Sequence, residues 1–304
     1  MKVAGIDIGT NSMRLLLTDF FSQADGQSEF RDRSKEVKIT RMGKGVDADR
    51  IIEPETFRYN IDSFEEFVEK ARNKKAERIF AIGTSALRDA KNGEEFVAAA
   101  ERSTGVKIDI ISGNLEAELG FYGVSQGVKE KGRILILDIG GGSTEFVIGS
   151  QIEGIVFKKS IDIGAVRLTD NFGDDLHDMT GFILSQVEDL HDLIERYAIR
   201  QIVGIGGTIG TVSAINLCLT RYDPDRVHNS RISLEEVECI LRSLSSLSLE
   251  DRKKVVGLQP ERADIIVAGV NILLGIMNKL RIKAITVSEY DNLEGLVYYY
   301  LRNE

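Results

Sequence analysis

One feature constrains the fold more than any other: an apolar strand ending in Asp and turning through glycine occurs twice, then recurs without the Asp. The first copy is Val3-Ala4-Gly5-Ile6-Asp7-Ile8-Gly9-Thr10-Asn11-Ser12, continuing into Leu15-Leu16-Leu17. The second is Ile134-Leu135-Ile136-Leu137-Asp138-Ile139-Gly140-Gly141-Gly142-Ser143-Thr144, continuing into Phe146-Val147-Ile148. In both, two strand-like runs flank a short Gly/Ser/Thr loop, the pattern of a tight β-hairpin. A third glycine turn, Ile202 to Thr208, leads into an expected helix from Thr211 to Leu219.

Between the two hairpins, helical spacing at Phe57, Ile61, Phe64, Phe67 and Val68 predicts a helix over 56–73, and a second is expected over 94–102. Strands are expected at Arg78–Ile82 and Lys107–Ile111. The second half repeats the mixture, with helices near 181–197, 233–247 and 262–280 and a strand at Ala284–Val287. The polar stretch Ser125 to Gly132 precedes the second hairpin and suggests a boundary near Gly123–Gly132. The expectation is an α/β protein of two similar halves, residues 1–124 and 125–304.

The chemistry follows from the loops. A single Asp at such a turn is more readily a cap than a ligand; two in matched settings reverse that preference. Gly9, Gly140, Gly141 and Gly142 let backbone N–H groups come close to an anion, and Ser12, Ser143 and Thr144 add donors. Such loops suit phosphate. An Asp beside a phosphate repels it unless a cation intervenes, and the hard, oxygen-seeking ion usual at such sites is Mg²⁺.

Composition narrows the alternatives. The chain has 304 residues, 42% hydrophobic and 29% charged, enough for two cored domains. Its net charge of −9 argues against a nucleic-acid partner, because backbone binding relies on Lys and Arg displacing counterions. The longest uncharged apolar stretch, Ile265–Met277, is 13 residues, against roughly 18–20 for a membrane span, so no membrane partner is expected. The N-terminus runs straight into a strand with no leader pattern, giving the expectation of a cytoplasmic protein. Cys218 and Cys239 lack paired spacing and are expected to be inert core thiols. No G-x-x-x-x-G-K-[ST] occurs, Gly204 to Gly210 misses the dinucleotide spacing by one residue, and His177, His191 and His228 have no metal-ligand spacing.

A series of segments then carries a resemblance: Ile6–Leu15; Thr84-Ser85-Ala86-Leu87-Arg88-Asp89-Ala90; Ser112-Gly113-Asn114-Leu115-Glu116-Ala117; Asp138–Glu145; Ile163–Leu168; Gly206-Gly207-Thr208; Tyr222-Asp223-Pro224 with Val227-His228; and Arg262-Ala263-Asp264. In this order they resemble the exopolyphosphatase/guanosine pentaphosphate phosphatase family, in its short two-domain form. The resemblance implies an actin-like (sugar kinase/Hsp70-type) fold, two ribonuclease-H-like domains with an interdomain cleft. It implies hydrolytic release of terminal orthophosphate from polyphosphate or guanosine pentaphosphate with Mg²⁺ (or Mn²⁺). A homodimer is a further expectation.

Carried over by position, the resemblance implies that Glu116 is the general base, Arg88 stabilises phosphoryl oxygens, and Asp7, Asp138 and Glu145 serve the metal. Asp138 is also expected to be catalytic. Gly9, Thr10, Asn11, Ser12 and Arg14 would bind phosphate on one side and Gly140, Gly141, Gly142, Ser143 and Thr144 on the other, with Gly206, Gly207 and Thr208 holding a more distant group. The chain departs from the family pattern at Leu115, at Glu118 and at Leu293, where Arg is usual, and it ends at Glu304 before the longer members' C-terminal region. These departures imply a less positive site and an expected preference for short polyphosphates or the nucleotide. Two alternatives differ in class: an ATP-dependent kinase of the superfamily, and a nucleotide- or polyphosphate-binding sensor without turnover.

Overall fold

A computed structural model describes residues 1–22, 28–128, 130, 132–173 and 175–302. Lys129 and Lys131 of the expected boundary, and the terminal Glu304, lie outside the described residues. The chain forms two compact units, Met1–Gln126 with Tyr290–Glu304, and Gly127–Glu289.

The first unit is built on a five-stranded sheet. Strands β1 (Lys2–Ile8), β2 (Ser12–Ser22) and β3 (Ser28–Ile39) form an antiparallel meander, and β4 (Arg78–Gly83) and β5 (Ile108–Ile110) run parallel to β1, in the order β3-β2-β1-β4-β5. In the second unit the strands are β6 (Ile134–Ile139), β7 (Thr144–Ser150), β8 (Gly154–Ile161), β9 (Gln201–Ile205), β10 (Arg231–Ser233) and β11 (Ala284–Val287). Their order is β10-β11-β9-β6-β7-β8. Without the antiparallel edge strand β10, this is the first sheet again: a three-strand meander followed by two parallel strands. The duplication read from the two Asp-Gly turns is therefore a duplication of topology, and the fold is α/β and actin-like.

Local sequence explains the placement. Strands β1 and β6 are almost wholly buried, as expected where both faces of a central strand are covered, and their sequences are near-continuous apolar runs. At the sheet edge, β3 carries Glu29, Arg31, Asp32, Arg33, Lys35, Glu36 and Lys38, charges that discourage pairing with another chain. Helix Pro54–Asn73 buries Phe64, Phe67 and Val68 against Ile6 and Ile8. In the second unit, helix Ile266–Lys279 is buried along most of its length and forms the centre of the larger core.

The expected segment 125–304 divides at Tyr290, because the last helix, Asn292–Arg302, packs on the first sheet. Its Leu293, Leu296 and Val297 join Val3, Leu16, Phe80 and Ile82, and burying each such side chain contributes roughly 1.5–3 kcal/mol. Glycine makes the approach possible: a Cβ on Gly295 would lie 1.8 Å from the Leu119 carbonyl oxygen. Leu293, expected to make the site less positive, is fully buried in this apolar cluster, so its exchange for Arg is a packing change.

Two further expectations are corrected. The helix expected over 181–197 is broken into Leu176–Gln186, a 3₁₀ turn at Glu188–Leu190 and Leu193–Arg196, since Met179, Ile183, Val187, Leu190 and Leu193 reach the core from successive short pieces. Cys218 and Cys239 are exposed rather than core thiols; Cys218 follows a helix end and Cys239 lies on the outer face of helix Leu234–Ser245.

Candidate active site

The first hairpin joins β1 to β2 through Gly9, Thr10 and Asn11, with the Gly9 N–H donating to the Ser12 carbonyl at 3.0 Å. The loop is braced from residues 40–43, which no motif had singled out. The Thr10 carbonyl accepts from Gly43 N–H (2.8 Å), and the Asn11 carbonyl accepts from Thr40 and Arg41 N–H (3.1 and 2.9 Å). In a trans peptide the carbonyl and the following N–H point opposite ways, so the Asn11 amide is directed away from this brace. Close packing fixes the brace: a Cβ on Gly43 would lie 2.2 Å from Thr10 Cγ2. Two buried polar atoms here lack a hydrogen-bond partner, Asp7 Oδ1 and Asn11 Nδ2.

Asp7 and Arg14 stand opposite one another in the β1–β2 register. The guanidinium donates Nε to Asp7 Oδ2 at 3.0 Å, adds Nη2 to the same oxygen, and donates Nη1 to Asp291 Oδ2 at 3.0 Å. Arg14, expected to meet phosphate, is thus held by two carboxylates. Burial pushes the Asp291 carboxyl up, but the Arg14 and Lys35 charges outweigh it and hold it well below the usual carboxylate range.

Arg88 and Glu116 come together at the carboxyl ends of the parallel strands. Thr84 N–H donates to the Ile8 carbonyl at 3.1 Å, so helix Ser85–Asp89 starts beside the hairpin. The Gly83 carbonyl accepts from Ile111 N–H at 3.0 Å, which brings the start of helix Gly113–Gly127 to the same end. Arg88 Nη1 donates to the Ile111 carbonyl at 2.9 Å and forms an ion pair with Glu116 Oε2 at 3.7 Å. Glu116 is 9% exposed in the first turn of its helix. Glu118 lies beside Tyr122, whose phenol is pushed up by burial and then by the Glu118 charge.

The second hairpin repeats the design. The Gly140 N–H donates to the Ser143 carbonyl at 3.0 Å. The carbonyls of Gly140 and Gly141 accept from Ala165 N–H (3.0 Å) and from Val166 and Arg167 N–H (2.8 and 3.1 Å). The Gly142 carbonyl accepts from Arg167 Nε at 2.8 Å. With three successive carbonyls turned to this brace, the N–H groups of Gly141, Gly142 and Ser143 turn away from it, an arrangement suited to an anion. Gly164 is required at the contact, since a Cβ there would lie 2.3 Å from the Gly141 carbonyl oxygen. Thr144 is fully buried and donates its hydroxyl to the Ile163 carbonyl at 2.6 Å, so it serves the loop's footing.

Opposite Asp138 in the β6–β7 register stands Glu145, where the first hairpin has Arg14. Both are buried, and Glu145 Oε1 accepts from Ser160 Oγ at 2.7 Å. Like charges facing across strands destabilise a sheet unless a cation compensates them. Gly206 begins helix Gly206–Asn216 with φ +89°, and a Cβ there would lie 2.4 Å from Asp138 Oδ1. A Cβ on Gly207 would lie 2.5 Å from Arg262 Nη1, so Arg262 covers this helix start, and Thr208 is buried in its first turn. Among the described residues no three His, Cys, Asp or Glu side chains form a metal-sized group. The brace residues Arg41, Gly43 and Arg167, and the partners Ser160, Asp291 and Arg262, were not assigned roles from sequence. The Asp-x-x-Glu pattern at Asp291–Glu294, a helix-start signature, was the available signal for one of them.

Known proteins match this arrangement along the whole chain. Exopolyphosphatase 2 of Mycobacterium tuberculosis is 33% identical over 97% of this chain and 97% of its own. A guanosine-5'-triphosphate,3'-diphosphate pyrophosphatase of Aeromonas salmonicida is 30% identical over 99% of this chain and 59% of its own. The crystal structure of an exopolyphosphatase from Cytophaga hutchinsonii superposes with a TM-score of 0.87 at 28% identity, covering 100% of this chain and 98% of that one. The model of the Ppx/GppA phosphatase family matches residues 21–304, and with both Asp-Gly hairpins in place the chain belongs to that family.

Proposed function

We propose that this chain, a phosphate-releasing hydrolase, removes orthophosphate from the end of inorganic polyphosphate, with Glu116 as the base. The observation that carries this is the Arg88–Glu116 pair: a buried carboxylate held 3.7 Å from a guanidinium that is itself fixed to the Ile111 carbonyl. The higher identity to the mycobacterial exopolyphosphatase, 33% against 30% for the pyrophosphatase, favours polyphosphate over the guanosine nucleotide.

The proposed step is a single displacement. A water oxygen attacks the terminal phosphorus, the bond to the bridging oxygen breaks, and the water proton passes to a Glu116 carboxylate oxygen. Amides of the braced Gly9–Asn11 loop bind phosphoryl oxygens, and Arg88 of the same unit meets the charge that spreads over them.

In the second unit the facing buried carboxylates at Asp138 and Glu145 fit a divalent cation; in the first unit, taken by itself, the buried Asp7 Oδ1 has no hydrogen-bond partner and is an oxygen a cation can use. Mg²⁺ commonly uses one or two carboxylates and takes its other ligands from phosphate and water, so a larger acidic cluster is not required. Bound there, the cation would neutralise phosphate charge.

The test is phosphate release, without any acceptor, from polyphosphates of graded length and from guanosine pentaphosphate side by side. Turnover that needs a hydroxyl acceptor, or binding without release, would return the chain to the kinase or sensor alternatives.

A further inference from the structure

Six ionisable side chains in the first unit alternate in sign without a break: Asp7, Arg14, Asp291, Lys35, Glu294 and Arg33. Beyond the contacts of Arg14, Lys35 Nζ lies 3.0 Å from Asp291 Oδ2 and 2.9 Å from Glu294 Oε2, and Arg33 Nε lies 3.0 Å from Glu294 Oε1. The series is largely buried, and the Glu294 side chain is 0% exposed. Three acids and three bases leave no net charge, the condition under which such a set is tolerated away from water.

The start of helix Asn292–Arg302 fixes both of its acids. Asp291 Oδ1 accepts from Leu293 N–H at 2.9 Å, and Asp291 N–H donates to Glu294 Oε2 at 3.0 Å, a reciprocal cap. Asp291 Oδ2 is thereby presented to Arg14 and Lys35.

We propose that Asp291 is a positioning residue for Asp7, acting through Arg14; this rests on the use of a divalent cation proposed above. An Arg facing a carboxylate commonly forks across both oxygens. Here Nη1 is taken by Asp291, and Arg14 turns Nε and Nη2 onto Asp7 Oδ2 alone. Asp7 Oδ1 is left buried without a hydrogen-bond partner. Such an oxygen needs a group from outside the protein, and a hard cation or its bound water satisfies it. Without Asp291, Arg14 is released to fork across both Asp7 oxygens and compete with the cation.

Asp291→Asn retains the cap acceptor and the volume and removes the charge that holds Arg14. Mn²⁺ binding to the whole protein, followed by the free-ion EPR signal, should weaken about 10–100-fold, the usual cost of losing an outer-shell partner. The Mg²⁺ concentration for half-maximal phosphate release should rise by the same factor, with kcat at saturating Mg²⁺ within about twofold. Asp7→Asn sets the reference loss. Wild-type Mn²⁺ affinity in Asp291→Asn, with affinity lost in Asp7→Asn, overturns this inference alone. Unchanged affinity in Asp7→Asn overturns the metal assignment at Asp7 instead. The charge-balanced Lys35→Gln/Asp291→Asn pair covers misfolding of the single variant: weakened Mn²⁺ binding there supports the inference, and native affinity refutes it. Loss of the fold in both also refutes it, because Asp291 would then be needed for structure.

Discussion

Arg88 Nη1 stands 3.7 Å from Glu116 Oε2 while donating at 2.9 Å to the Ile111 carbonyl, so the guanidinium links the end of one strand to the first turn of the helix that carries the acid. Arg88 is therefore anchored independently of Glu116. Neutralising Glu116 removes its half of the ion pair and the proton acceptor, while the bond to the Ile111 carbonyl still holds the arginine.

Glu116→Gln is accordingly expected to lower kcat by about 10²–10⁴, the usual contribution of a positioned base. Substrate affinity and melting temperature should stay near wild type. Steady-state phosphate release together with thermal unfolding checks this; turnover above about a tenth of wild type contradicts the assignment of Glu116.

Removal of divalent cations should abolish turnover, and Mg²⁺ or Mn²⁺ should restore it. Asp138→Asn should be severely impaired under the same conditions with its fold intact, because the exchange is isosteric beside a facing Glu145. Full activity after exhaustive chelation would count against both expectations.

Gly206→Ala separates backbone strain from damage to the site. Gly206 (φ +89°) would place a Cβ 2.4 Å from Asp138 Oδ1, whereas Gly105 (φ +69°) would place one in open space. Both alanine variants bear a left-handed backbone cost of about 1–3 kcal/mol. Only Gly206→Ala should also lose most of its phosphate release, and equal activities at matched folded fractions would refute the close-packing argument.

Substrate length gives a further expectation. With a net charge of −9, attraction of a polyanion falls to local amides and arginines, so short polyphosphates should be hydrolysed at least as well as chains of hundreds of units. Specific activity that climbs steadily with chain length would show otherwise.

Much of this was legible in the sequence, for definable reasons. A hairpin is a local structure, so Ile6 to Leu15 and Asp138 to Phe146 carry both strands and the turn within about ten residues, and their repetition announced two sheets of one topology. The strand Ala284–Val287 and the helix Pro54–Asn73 follow from apolar periodicity. Glu116 and Arg88 were reachable only through the order of the segments around them, since a single Glu or Arg on a helix has no signature of its own.

Long-range pairing decided the rest. The amino-acid sequence determined the duplicated α/β architecture, the glycine loops and the acids beside them, because each depends on neighbours along the chain. That residues 40–43 brace one loop and 164–167 the other, that the last helix returns to the first sheet, and that Asp291 holds Arg14 were settled by the tertiary structure. Asp291 and Arg14 are 277 residues apart, and only their common burial makes the charge of one depend on the other.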